Sequence, residues 1–330
     1  MSSTYKSTMR ALRQLERVAE QRRRTAVKQY NIQQKQQAIA SAALAVREFE
    51  EYIHTLVTVH TTAMPPVDWP ELMAAPEPES PDRSHKHEEL AVSKQTAYAP
   101  SFFDRLLHLE RLKRRALDKQ VAQARNRDSV IYEKQKARYD EELAEWVETQ
   151  EMAKGVLAKA PTAYKRVLDF FSPFEELAGL GTRMTLDLRS DFAQIELFAN
   201  SVDVVPENAL TQTSTGKLSK KAMPTGRRHG LYKDFVCSCA LRIGRDVLAC
   251  LPLPLVVINV SSNLLDTATG ITSECPILSV AITTDRLRGL DFDHLDPSDA
   301  MTNFPYRMKF AKTTGFSRVE RIDPATLLLT

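Results

Sequence analysis

An α+β fold is predicted: a long antiparallel helical hairpin (coiled coil) over residues 1–160 with a Pro-rich linker at 63–100, then a mixed α/β domain over 161–330 with a small sheet around one buried helix. Three observations lead there. Two long runs of strong helix formers flank the linker, and alternating apolar and polar residues follow Gly179. The third is Tyr232–Val260, YKDFVCSCALRIGRDVLACLPLPLVVINV, a periodic helix that runs straight into a continuous apolar strand.

The first run, from Thr4 to Thr62, contains neither Pro nor Gly and would extend roughly 85 Å as one helix. Ile39, Ala42, Val46, Phe49, Ile53 and Leu56 recur three and four apart, the spacing of a coiled-coil seam. Pro65, Pro66, Pro70, Pro76, Pro78, Pro81 and Pro100 then interrupt any long helix, and the polar residues between them read as a solvated linker anchored by Trp69 and Leu72. A second helix is expected from Ser101 to Ala160. Two long helices joined this way fold back most simply on each other; pairing between two copies of the chain is the alternative.

A shorter helix over 163–171 leads to two strands, Arg183–Ser190 and Phe192–Ser201, joined by a turn at Ser190 and Asp191. The polar stretch 207–229 reads as a loop. In the central helix Tyr232, Phe235, Val236, Cys239, Ile243, Val247, Cys250 and Leu251 fall on one stripe; Pro252 and Pro254 end it, and Leu255–Ile258 is a strand buried on both faces. Beyond Val260, SSNLLDTATGITSEC reads as a turn-rich connection to a strand at Ile277–Ile282. Asp296 caps a short helix with Pro297 in its first turn, and strands near 308–310 and 318–322 close the domain.

Apolar residues make up 43% of the 330 positions and charged residues 26%, ordinary for a packed chain, and a net charge of +3 points to no partner by itself. Cys237, Cys239, Cys250 and Cys275 sit mostly on or beside the apolar helix, so a reduced, cytoplasmic chain is expected. Neither an apolar leader nor a membrane-length apolar run is visible, and no membrane partner is expected.

Four groups of residues are candidates for chemistry. Arg22, Arg23 and Arg24 on the first helix and Arg111, Arg114 and Arg115 on the second converge if the hairpin is antiparallel, and such a basic rod attracts phosphate backbones. The bland reading is a solvated coiled-coil face or a match for an acidic protein. A second basic group, Lys217, Lys220, Lys221, Arg227, Arg228, His229 and Lys233, precedes the central helix, where backbone N–H groups favour an anion, although simple loop solvation is the readier explanation. The acidic knot Asp291, Asp293, His294, Asp296 and Asp299 could hold a divalent cation, but helix capping already accounts for Asp296 and Asp299. Lastly, the order of helix, strands carrying Asp187 and Glu196, helix and strand resembles that of restriction-endonuclease-like nucleases. The resemblance is one of order only. Those enzymes place a lysine two residues after the second acid, where this chain has Phe198, so Lys217 or Lys221, with His229, would have to supply it.

The expected function is that of a cytoplasmic interaction or scaffold protein whose basic hairpin docks a partner protein or a nucleic-acid backbone, self-association through the coiled coil included. The alternative is a metal-dependent nuclease-like or other phosphate-directed enzyme. No cofactor is expected in the first case, and a divalent metal such as Mg in the second.

Overall fold

The computed structural model describes residues 28–29, 33–102, 109–174, 177, 182–266 and 268–327. Arg22, Arg23 and Arg24 lie outside the described residues. The fold mixes helix and sheet in two compact units, one formed by residues up to Pro66 together with those from Leu168, the other by Val67–Val167.

In the first unit, helix α1 (residues 33–58) turns the stripe that the sequence marks as a seam inward, with Ile39, Val46, Phe49 and Ile53 half-buried. Ala42 and Leu56 are fully packed, and the partners lie within the unit: Gln212 Nε2 donates to the Ile39 carbonyl at 3.1 Å and the Tyr52 hydroxyl to the Val204 carbonyl at 2.7 Å. A three-four apolar stripe fits any apolar surface of suitable shape.

The core of this unit is a six-stranded sheet built from β1 (Arg183–Leu188), β2 (Phe192–Phe198), β5 (Leu255–Asp266), β6 (Ile271–Ile282), β7 (Tyr306–Ala311) and β8 (Gly315–Ser317), in the spatial order β1-β2-β5-β6-β7-β8. Only β2 and β5 run parallel, so the chain needs a crossover between them. Helix α6 (Thr225–Cys250) supplies it, and its apolar stripe explains why it lies flat on the sheet: Phe235, Val236, Cys239, Ile243 and Val247 are buried, facing a layer that includes Ile195, Ile258 and Ile282. The expected buried helix with its sheet is thus present. The opposite face is covered partly by the chain end, where Ile322 and Leu327 pack with Phe192, Leu255, Val257 and Ala281.

Three expectations change. The polar stretch 207–229 is not a loop: it holds a hairpin of β3 (Asn208–Gln212) and β4 (Leu218–Ala222), turning through Gly216 at φ +81°, and then the first turns of α6. Gly226 and Gly230 weaken the helical signal there by about 1 kcal/mol each relative to Ala, which hides the true start. The connection after Val260 is the far end of a long β-hairpin; Asn263–Asp266 pair with Ile271–Glu274. Finally, residues 318–322 carry no strand.

The second unit is organised on α4 (Glu110–Leu157), a 48-residue helix, about 72 Å long. Two short helices, α2 (Trp69–Ala74) and α3 (Lys86–Thr96), pack along it. The stretch 63–100 is therefore no free tether. Pro70 sits in the first turn of α2, where its missing N–H costs nothing, and Trp69 is buried. The chain then runs back along α4: Gln150 Nε2 donates to the Leu72 carbonyl at 2.8 Å, Trp146 Nε1 to the Ala75 carbonyl at 3.0 Å, and Gln95 Nε2 to Asp118 at 2.6 Å. Helix α5 (Pro161–Phe171) contains the point where the second unit ends.

Candidate functional site

Charge on α4 is sorted along its length. From Glu110 to Arg138 there are ten Arg or Lys against four Asp or Glu; from Tyr139 to Leu157 there are six Asp or Glu against Lys154 alone. The helix dipole does not account for this, because it acts within the terminal turns, and there Glu110 and Lys154 already carry the favoured signs. Nor does internal packing. Asp128 in the middle of α4 and Met152, Ala153 and Val156 near its end are buried within the chain, whereas Arg115, Lys119, Val130, Glu141 and Glu145 are exposed.

Several α4 charges are satisfied internally. Glu110 pairs with Arg114 at 3.0 Å, Glu142 with Arg138 at 2.8 Å and Glu148 with Arg166 at 3.1 Å, while Arg125 reaches Glu88 of α3 at 2.6 Å. Arg111, Arg115, Lys119, Glu141 and Glu145 make no ion pair with any described residue. Of the basic residues expected on this helix, then, Arg111 and Arg115 are unengaged and Arg114 is not.

Asp128 explains how α3 is seated. Its N-cap residue, His85, gives no side-chain cap, and Asp128 of α4 accepts from Glu88 N at 2.8 Å, from His87 N at 3.4 Å and from the His87 ring at 2.6 Å. Burial would raise this carboxyl, but those N–H groups and the imidazole outweigh it and hold Asp128 below the usual carboxylate range.

The second basic group is dispersed rather than convergent. Lys217 lies in the β3–β4 turn against α1, and Lys221 is exposed on β4. Arg228 is a fastener, donating to the Val205 carbonyl at 3.0 Å and pairing with Asp203 at 2.9 Å. The His229 ring meets the Lys312 carbonyl at 3.0 Å, Lys233 stands over the Phe310 ring, and Arg227 is exposed.

Asp187 and Glu196 do share a sheet face: the register sets Asp187 opposite Gln194 and Thr185 opposite Glu196, which makes the two carboxylates diagonal neighbours. Each is occupied. Asp187 pairs with Arg189 at 2.9 Å, and Glu196 accepts from Asn259 at 2.8 Å and Gln194 at 3.1 Å and pairs with Arg321 at 3.0 Å. This face is the one turned away from α6, so His229 belongs to the other layer. In register with Glu196, the buried Asn259 accepts from the Ser279 hydroxyl at 2.6 Å, and that oxygen accepts from Ile322 N at 2.9 Å, making a polar row across the sheet.

The acidic knot is a set of caps. Asp296 accepts from Ser298 N at 2.9 Å and Asp299 N at 3.0 Å, and Asp291 holds the His294 ring at 2.9 Å. No cluster of three or more His, Cys, Asp or Glu side chains suited to a metal ion occurs among the described residues.

One polar cluster escaped the sequence. The chain leaving α1 is clamped on α6: His60 N donates to the Ser238 hydroxyl at 3.0 Å, Met64 N to Asp246 at 2.9 Å, and Arg245 to the His60 carbonyl. Arg242 and Asp246 form a buried pair at 2.5 Å, and Arg245 stacks on Phe292. Burial, then Arg245, pushes the His60 imidazole below its ordinary value; burial raises Asp246 against the pull of Met64 N and Arg242. Arg242 and Asp246 at i and i+4 on one helix were a legible signal; His60, 178 residues from Ser238, was not.

No family model, curated protein or solved structure matches the chain. Among the described residues no helix is long and apolar enough to cross a membrane.

Proposed function

We propose that this is an interaction protein whose long helix α4 is a docking surface for a protein partner. The observation that carries the reading is the exposure of Arg111, Arg115, Lys119, Glu141 and Glu145 on α4 with no ion-pair partner among the described residues. A surface with both signs in separate blocks complements a protein better than a nucleic-acid backbone, since a polyanion would meet six like charges between Tyr139 and Leu157. Whether the first and second helices also pair as a coiled-coil hairpin, as their composition suggested, is a separate proposal.

The test is a titration of the full chain with a random-sequence DNA duplex at 50–300 mM salt. Protein docking predicts affinity no better than about 1 µM at 150 mM salt, the ordinary non-specific range. Tighter binding that is lost in an Arg111→Glu, Arg114→Glu, Arg115→Glu variant would instead assign the basic run to a nucleic-acid backbone.

A metal-dependent nuclease built on Asp187 and Glu196 is the competing reading, favoured by their common sheet face. It requires divalent-metal-dependent cleavage that disappears in Asp187→Ala and Glu196→Ala, together with a cation supplied to that face. Arg321 already stands on Glu196 and Arg189 on Asp187.

A further inference from the structure

The two halves of the α4 face are complementary to each other. Arg115 and Lys119 lie in the basic half, Glu141 and Glu145 in the acidic half, and all four are exposed without an ion-pair partner among the described residues. The midpoint between these blocks is Val130, an apolar side chain left 60% exposed. Along the same face Ala116, Lys119, Asn126, Val130, Ala137 and Ala144 recur at intervals of three, four or seven, and all are exposed. The alanines at 116, 137 and 144 leave room for a second helix to approach.

A helix cannot bring its own ends together, so the complement must come from elsewhere. We propose that a second copy of this chain docks antiparallel on α4, with Val130 near the two-fold axis and each protomer's basic block lying over its partner's acidic block. This rests on the docking reading and names the occupant. A parallel arrangement would set like charges against each other along both blocks. An isologous contact of this kind satisfies both copies with one patch, as two-fold dimers do. The seam is poor in large apolar groups, so the dimer depends on charge and weakens with salt.

The test uses two block-reversed full-length chains, one carrying Arg115→Glu and Lys119→Glu, the other Glu141→Lys and Glu145→Lys, followed by sedimentation equilibrium at 50 and 300 mM salt. The wild type is expected to dimerise with a dissociation constant that rises about tenfold or more between the two salt conditions. Each variant alone is expected to be monomeric, because its α4 then carries one sign in both blocks. An equimolar mixture is expected to recover a heterodimer, which also proves that the variants are folded. A wild type that is monomeric at 100 µM and low salt overturns self-pairing, and the docking reading then stands or falls by the duplex titration. Variants that dimerise alone as well as the wild type, or a mixture that fails to rescue, overturn the antiparallel charge pairing itself.

Discussion

At the scale of single residues, His60 and Arg242 decide how the end of α1 is held. His60 is buried and its imidazole is held below the ordinary value, chiefly by burial, so the unfolded chain binds the proton more readily than the folded one. With the folded value depressed, stability contributed by neutral His60 is complete above about pH 6.5, the unfolded value, and declines as pH falls below it. Thermal unfolding from pH 8 to pH 5 should therefore show a loss in the wild type that is smaller in His60→Asn; an identical pH profile would remove His60 from the account. Arg242→Ala should lower the unfolding free energy by about 3 kcal/mol, because it strands Asp246 as an unpaired buried charge. Asn259→Ala should cost roughly 1–3 kcal/mol in denaturant unfolding, since it leaves the Ser279 hydroxyl without its buried acceptor.

At the scale of elements, α3 and α6 mark where the sequence was informative and where it was silent. The stripe Tyr232–Leu251 gave the body and end of α6 because burial of a helix on a sheet is written in local spacing. Its start was hidden by Gly226, Gly230 and a Pro at the N-cap, and helix α3 was hidden because its cap comes from Asp128, 42 positions after Lys86. Long-range capping leaves no local signature. The same reason explains the site: charge segregation on α4 is legible in the string, but which charges are already spent on Glu88 or Arg166 is not. Asp128→Ala should accelerate amide hydrogen exchange over the first turn of α3, at His87 and Glu88 above all, while the middle of α4 keeps its protection. Because Asp128 is held below its usual range, this cap should persist at neutral pH and be lost only as the pH falls through that depressed value. Equal exchange in wild type and variant would show that α3 is held by packing alone.

At the scale of the whole molecule, the chain devotes one unit to a layered sheet and the other to a 48-residue helix with an open, two-signed face. The sheet's polar row uses its polar groups internally, and so does the clamp on α6 apart from His60 Nε2. The α4 face does not, and for that reason it carries the functional argument. The most direct measurement of that argument is a pair of electron-spin distance determinations on full-length chains in which Cys275 is replaced by Ser and a nitroxide is placed at exposed Val130 or exposed Leu112. Antiparallel pairing about Val130 predicts a separation below about 20 Å for the first label and about 54 Å for the second, from 1.5 Å of rise per residue. Short distances from both labels would mean a parallel pair, and no dipolar coupling from either at 100 µM protein and low salt would mean that α4 does not meet a second copy of itself.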